Sequence, residues 1–123
     1  MKTVVFCFIL FFNNLNSLED LITFLEIRSS EEISNYFDSN SEIIINEKVS
    51  KGNKFQLTKT LDNFFTENNL REFKIIHKGD TQNNIIYMLA EYSSNDDIYK
   101  VFLTLLKAEK KYIIQKFKID IRE

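Results

Sequence analysis

The sequence predicts an α+β domain in which N-terminal helices pack on a curved, mainly antiparallel sheet that ends in a four-stranded meander. Three observations support this fold class. Apolar residues recur at helical spacing in the first half of the chain, they alternate with polar residues in the second half, and short polar turns separate the alternating stretches. Helices that precede a run of hairpins are typical of α+β proteins.

Three helices and one strand are predicted before the meander. Ser17 and Ser29 each precede an acidic residue at the spacing of a capping box, which predicts that a helix starts at each position. A strand is expected over residues 42–45, where three isoleucines follow one another, and residues 46–52 form a polar connection. The third helix is expected over residues 53–69. Its apolar positions are Leu57, Leu61, Phe64 and Phe65.

Length, charge and composition limit the number of domains and the class of partner. A chain of 123 residues fits one domain with its own hydrophobic core. The net charge of -2 gives no overall attraction to phosphate, so nucleic acid is not expected as a partner. With one His and one Cys, the chain shows no set of metal ligands at a recognised spacing, and neither a metal nor a cofactor is expected.

The first residues have the pattern of a secretory signal peptide. One lysine precedes an unbroken apolar run over residues 4–12, and a small polar stretch follows. The run is about half of the roughly 20 residues that a spanning helix needs, so no stable membrane span is expected. We predict a leader over residues 1–17, a single domain over residues 18–123, and export to the periplasm. An earlier cut, or a buried N-terminal strand or helix, is the alternative.

Five segments carry a family resemblance: the leader, EEISNYFDSNSEIII, LDNFF, REFKIIHKGD and VFLTLLKAEKKYIIQKFKI. They resemble a family of small exported Bacteroidetes proteins that is classed as a domain of unknown function. That family lies in the superfamily with the cystatin-like cone fold of nuclear transport factor 2, ketosteroid isomerase and scytalone dehydratase. The resemblance covers essentially the whole chain and rests on packing and turn motifs. It implies a cone-shaped fold, a cavity between the long helix and the sheet, and often a dimer, and it supplies no catalytic residues.

One row of polar side chains across the predicted sheet is the candidate ligand site. When the strands are paired through their turn centres, this row lies on the concave face toward the helices, among apolar side chains. Glu91 opposite Lys100 supports the register, because cross-strand pairs of opposite charge are favourable. Apolar walls with a few hydrogen-bonding groups are typical of a pocket for a small apolar ligand. The candidate pocket residues are His77, Tyr87, Thr104, Gln115, Phe102 and Phe117.

Two other readings of this polar row stay open. It is either a band of exposed rim residues or a set of core groups that satisfy each other. The opposite, outer face of the predicted sheet is also apolar, and we expect a second copy of the chain to cover it as a homodimer. The candidate interface residues are Met88, Tyr92, Tyr99, Val101 and Leu103. The alternative is a sheet that curls enough for loops and lysine stems to shield this face.

The sequence therefore predicts an exported, non-enzymatic domain that binds a small apolar ligand or a protein partner. A small isomerase or dehydratase is one alternative, with His77 as the base and Tyr87 as the hydrogen-bond donor. A purely structural interaction module is the other. No catalytic residue is assigned, because the only acid near the polar row is Glu91, which already has Lys100 beside it.

Overall fold

The computed structural model describes residues 16–122, so the predicted leader lies outside the described residues except for Asn16 and Ser17. Within this range the helices are α1 (Leu18–Ile27), α2 (Ser30–Ile33) and α3 (Lys54–Glu67), and a 3-10 turn (Ser34–Tyr36) follows α2. The strands are β1 (Phe37–Ile45), β2 (Lys48–Ser50), β3 (Glu72–Asp80), β4 (Ile85–Ser93), β5 (Ile98–Ala108) and β6 (Lys111–Ile121). In residues 16–122 no helix is long and apolar enough to cross a bilayer.

Side-chain caps start all three helices at the predicted positions. The hydroxyls of Ser17 and Ser29 each accept a hydrogen bond from the backbone N–H three residues ahead, at 3.0 and 3.4 Å. Asn53 forms a full capping box with Gln56, in which each side-chain oxygen accepts from the other residue's backbone N–H. The caps satisfy N–H groups that have no partner inside a helix, which fixes where each helix begins.

The six strands form one curved sheet in the order β2-β1-β6-β5-β4-β3, and the predicted meander of β3 to β6 is confirmed. All neighbours are antiparallel except β1 and β6, which are parallel. Two details differ from the expectation. The first strand begins at Phe37, with an irregular stretch before Glu42, and the connection expected over residues 46–52 contains the short strand β2. Asn46 and Glu47, at φ 48 and 73, form the tight turn between β1 and β2.

The helices cover one face of the sheet, and side chains fill the space between them. Tyr92 and Tyr99 point from the sheet into the helices, where their rings make edge contacts with Phe65 and Phe64 at centroid distances of 5.6 and 5.3 Å. The sheet side of this core comprises Met88, Ala90, Tyr92, Tyr99, Val101, Leu103, Leu105, Ile114, Phe117 and Ile119. The expected cavity is therefore occupied by core side chains at these positions.

The predicted partner interface is wrong, because its residues form the core. Met88, Tyr92 and Leu103 are 0% exposed, and Tyr99 and Val101 are nearly so. The helices lie on the face that carries these side chains and not on the face of the polar row. Both faces of the sheet are apolar in sequence, so the alternation alone left open which face meets the helices.

Two β-bulges and one displaced turn explain the errors in register. Ile75 pairs with Ala90 and His77 pairs with Leu89, so Ile76 is an extra residue in β3. His77, on the turn side of this bulge, lies opposite Leu89 instead of Tyr87 because the turn between β3 and β4 is centred one residue later than expected, which shifts the pairing by two residues.

The second bulge lies in β6. Leu105 pairs with Ile114 and Thr104 pairs with Lys116, which makes Gln115 the extra residue. The alternation of β6 shifts by one position there. Phe117, predicted for the pocket, consequently points into the core and is 0% exposed.

Candidate functional site

The sheet face away from the helices, here called the outer face, carries an apolar row that crosses the meander. His77 on β3 pairs with Leu89 on β4, Leu89 pairs with Phe102 on β5, and Phe102 pairs with Lys118 on β6. The bulged residue Ile76 lies beside this row. Ile76 is 53% exposed and Leu89 is 39% exposed, so apolar surface faces the solvent near the β3 end of the sheet.

A row of alternating charge borders the apolar row. Lys74 pairs with Glu91, Glu91 pairs with Lys100, and Lys100 pairs with Asp120, as one residue from each strand of the meander. The predicted pair of Glu91 and Lys100 is thus confirmed. Glu91 also forms an ion pair with Arg122, with 2.9 Å between Glu91 Oε2 and Arg122 Nη1. Asp120 pairs with Lys118, with 3.8 Å between Asp120 Oδ2 and Lys118 Nζ. These pairs are partly exposed, so each contributes little to the free energy of folding.

A third row includes two of the predicted pocket residues, Tyr87 and Thr104, which pair with each other as expected. The Tyr87 ring lies across Gly79, where an added Cβ would come within 2.6 Å of the Tyr87 hydroxyl oxygen. This position of the ring brings the Tyr87 hydroxyl within 3.1 Å of His77 Nε2. His77 and Tyr87, which were predicted to be neighbours, therefore do meet. Their contact is diagonal across the two strands and is possible because Gly79 has no side chain.

Between the apolar row and the charged row lies a groove of about 480 Å³. Its floor is apolar, formed by Ile76, Leu89 and Phe102 with the flanking backbone of the core strands, and its rim is charged. The rim residues are Glu91, Lys100, Lys118 and Asp120. The groove has the size of a small-molecule site, but it opens on the exposed sheet face instead of inside the domain.

The predicted pocket residues separate into three groups. His77, Tyr87, Phe102 and Thr104 share the outer face, Gln115 is exposed at the β6 bulge, and Phe117 is buried. The prediction placed Leu89 beside this group and missed Ile76 and Lys118. The second bulge also shows in the spacing of the buried residues of β6, which is three and then two, at Ile114, Phe117 and Ile119.

Neither a metal cluster nor an enclosed acid–base site appears in the part of the chain that the structure describes. In residues 16–122 no three His, Cys, Asp or Glu side chains are grouped to hold a metal ion. His77 and Tyr87 form a hydrogen bond on an exposed surface, and no carboxylate in the described range lies within ion-pair distance of the imidazole. The pair therefore lacks the enclosure that strengthens acid–base catalysis.

Solved structures share this architecture. A DUF4783 family protein from Bacteroides ovatus superimposes with a TM-score of 0.79 at 21% identity, over 88% of this chain and 97% of that chain. An NTF-2 like protein of unknown function from Silicibacter pomeroyi gives a TM-score of 0.63 at 14% identity, over 89% and 97%. A ketosteroid isomerase-like protein from Erwinia carotovora atroseptica gives 0.63 at 8% identity, over 84% and 88%. At these identities the likeness shows the fold alone.

The helices, the curved six-stranded sheet and these neighbours define an α+β domain with the cone fold that NTF-2 like proteins share. The chain belongs to the family described as Domain of unknown function (DUF4783), whose model matches residues 18–120. The predicted fold class and family are thereby confirmed. A search of the curated proteins found no match.

Proposed function

We propose that this protein is a non-enzymatic binding module that works through its outer face, and that a second copy of the chain occupies this face. The observation that carries the proposal is the exposed apolar row on a sheet face that no described helix covers. Ile76, Leu89 and Phe102 would be removed from water by a partner, and each buried side chain of this size contributes roughly 1.5–3 kcal/mol when fully buried. A homodimer through the outer sheet face was the expectation from the sequence, and the proposal changes the residues that form it.

The charged row favours a second copy as the partner. Consider a dimer in which the outer faces of two copies meet, with the two-fold axis parallel to the strands and between β4 and β5. In this arrangement β3 of one copy faces β6 of the other, and β4 faces β5, so each row meets the same row of the other copy in reverse order. Lys74 of one copy then faces Asp120 of the other, and Glu91 faces Lys100. All four positions of the row meet a residue of opposite charge, because the signs alternate along an even number of strands.

The groove on the same face supports a second candidate, the binding of a small apolar ligand. Its apolar floor and charged rim fit a molecule with an apolar body and one ionised group. The two candidates compete for Leu89 and Phe102, so a ligand in the groove would weaken the association of two copies. Sedimentation with and without added fatty acid separates them.

The dimer is tested by sedimentation velocity of the purified protein at micromolar concentration. We expect a dimer for the natural sequence and a monomer for Phe102→Glu, because the new carboxylate would be buried in the apolar centre. Phe55→Glu is the matched control: Phe55 is 75% exposed but lies on α3, away from the sheet face, and its replacement leaves the dimer intact. A monomer for the natural sequence overturns the proposal.

The charged row gives a more selective test of the partner's identity. Glu91→Lys and Lys100→Glu each place like charges opposite one another in the dimer and should weaken association. The double variant restores opposite signs and should recover it. If the double variant associates as weakly as the single variants, the partner is not a second copy in this arrangement.

We also propose that the chain is exported after removal of its leader, with the cut before Asn16 instead of after Ser17. The contacts of these two residues support this position. Asn16 Oδ1 accepts from the Tyr112 backbone N–H at 2.6 Å, and the Ser17 carbonyl accepts from the Tyr36 hydroxyl at 2.7 Å. A cut after Ser17 would remove both bonds and the cap of α1.

N-terminal sequencing of the protein from the periplasmic fraction tests the export and the cut together. We expect a mature chain that retains Asn16 and Ser17. Recovery of the protein only from the cytoplasm contradicts the export, and a mature chain that starts at Leu18 contradicts the position of the cut.

A further inference from the structure

We propose that His77 makes the association of two copies pH-dependent, so that the dimer is stable at neutral pH and dissociates in acid. This inference rests on the proposed dimer and adds its regulation. His77 is the only histidine of the chain. It pairs with Leu89 at the β3 end of the apolar row, and a partner that covers this row also covers the imidazole.

The neutral imidazole suits a buried position at this site. His77 Nε2 lies 3.1 Å from the Tyr87 hydroxyl, which donates to this nitrogen when the neutral ring carries its proton on Nδ1. The two rings lie 5.5 Å apart, beside exposed apolar side chains. Protonation turns Nε2 into a donor and places a full charge in an apolar interface, which is costly unless a carboxylate pairs with it.

The charged groups around His77 do not supply that carboxylate. Lys74 and Lys78 lie on the same strand, three residues before and one residue after. Across from them, Glu91 on β4 is held by Arg122 at 2.9 Å.

The remaining neighbours of His77 do not supply a carboxylate for the imidazole either. Asp80 lies beyond Lys78, near the end of β3, and no ion pair within 4.0 Å links it to the imidazole. On the helix-free side no described element packs over the ring. The two-fold arrangement proposed for the dimer sets His77 against Lys118 of the other copy, because the apolar row is also reversed. A protonated His77 would therefore face a lysine of the other copy, and the repulsion between the two positive charges would weaken the dimer.

The expected size of the effect follows from linkage. An imidazole ordinarily gains its proton at about pH 6.5. For an ordinary imidazole whose charged form does not fit an interface, lowering the pH from about 8 to about 5.5 weakens association about tenfold. A symmetric dimer contains two such residues, so its dissociation constant should rise about a hundredfold.

Sedimentation equilibrium at about pH 8 and about pH 5.5 tests the inference with three proteins. The natural sequence should dissociate in acid. His77→Gln keeps a neutral polar side chain and should have the same dissociation constant at both pH values. Tyr87→Phe removes the hydrogen bond but keeps the imidazole, and should retain the acid dissociation.

The outcomes separate this inference from the proposed function. A dimer that is equally stable at both pH values overturns the role of His77 and leaves the dimer itself supported. Acid dissociation that is unchanged in His77→Gln also overturns it and assigns the effect to the carboxylates of the charged row. A monomer at about pH 8 overturns the dimer, and the role of His77 with it.

Discussion

The hydroxyl of Tyr92 donates a 2.7 Å hydrogen bond to the carbonyl oxygen of Leu25, and so joins the middle of the sheet to the last turn of α1. Both residues are 0% exposed. We expect Tyr92→Phe to lower the free energy of unfolding by about 1 kcal/mol, as for one buried hydrogen bond. The cost stays near this value because the Leu25 carbonyl also accepts from the Arg28 N–H. Urea unfolding measures it, with Tyr112→Phe as a control that should change little.

The same tyrosine makes the fold sensitive to alkali. Burial raises the pKa of the Tyr92 phenol well above its ordinary value, and burial also raises the pKa of Tyr36. Stability from these groups is complete below about pH 10, where the unfolded tyrosines are neutral, and is lost as the pH rises above that value. We expect the free energy of unfolding to fall between about pH 9 and about pH 11, and to fall less in Tyr92→Phe. An equal fall in both proteins contradicts this assignment.

Adjacent residues of β5 should differ sharply in their effect on stability. Leu103 is 0% exposed in the core, whereas Phe102 lies on the outer face. Leu103→Ala should lower the free energy of unfolding by about 2–5 kcal/mol, because it leaves a cavity. Phe102→Ala should cost less than about 1 kcal/mol in the monomer. Chemical unfolding at a concentration low enough to keep both variants monomeric makes the comparison, and the reverse order would show that the faces are assigned wrongly.

The turn between β1 and β2 stores backbone strain that a glycine removes. Glu47 has φ 73, a left-handed conformation that is unfavourable for a residue with a Cβ. Glu47→Gly creates the Asn-Gly pair preferred in such turns and should raise the free energy of unfolding by about 1 kcal/mol. Glycine in the middle of a helix, as in the exposed Lys59→Gly of α3, should lower it by about as much. Thermal unfolding of both variants tests the sign, and destabilisation in both contradicts a strained turn.

Most of the architecture follows from local sequence signals. Ser17 and Ser29 predicted two helix starts because a cap is a short-range interaction that sequence spacing shows directly. The pairing of Tyr87 with Thr104 and of Glu91 with Lys100 was also predictable, because β4 and β5 pair without a bulge. Register over a regular hairpin depends only on the position of its turn.

The face of the candidate site could not be predicted in the same way. An extra residue at Ile76 and another at Gln115 shift the alternation, and an extra residue has no fixed sequence signature. The core face of β4 and β5 is nevertheless uninterrupted by polar residues, whereas the outer face carries Glu91, Lys100 and Thr104. Charged side chains within an apolar alternation indicate the solvent side, and this signal identifies the helix-facing side correctly.

The bulge at Ile76 has a consequence for polymerisation. It sits in β3, which ends the sheet order, so on the side away from β4 its backbone has no neighbouring strand among residues 16–122. A kinked border strand flanked by Lys74 and Lys78 is a poor template for an added chain. We therefore expect strands of other copies not to add to the sheet at β3, so that the sheet does not grow into a filament from this edge. The protein can then expose apolar surface on the outer face without aggregating through the β3 edge.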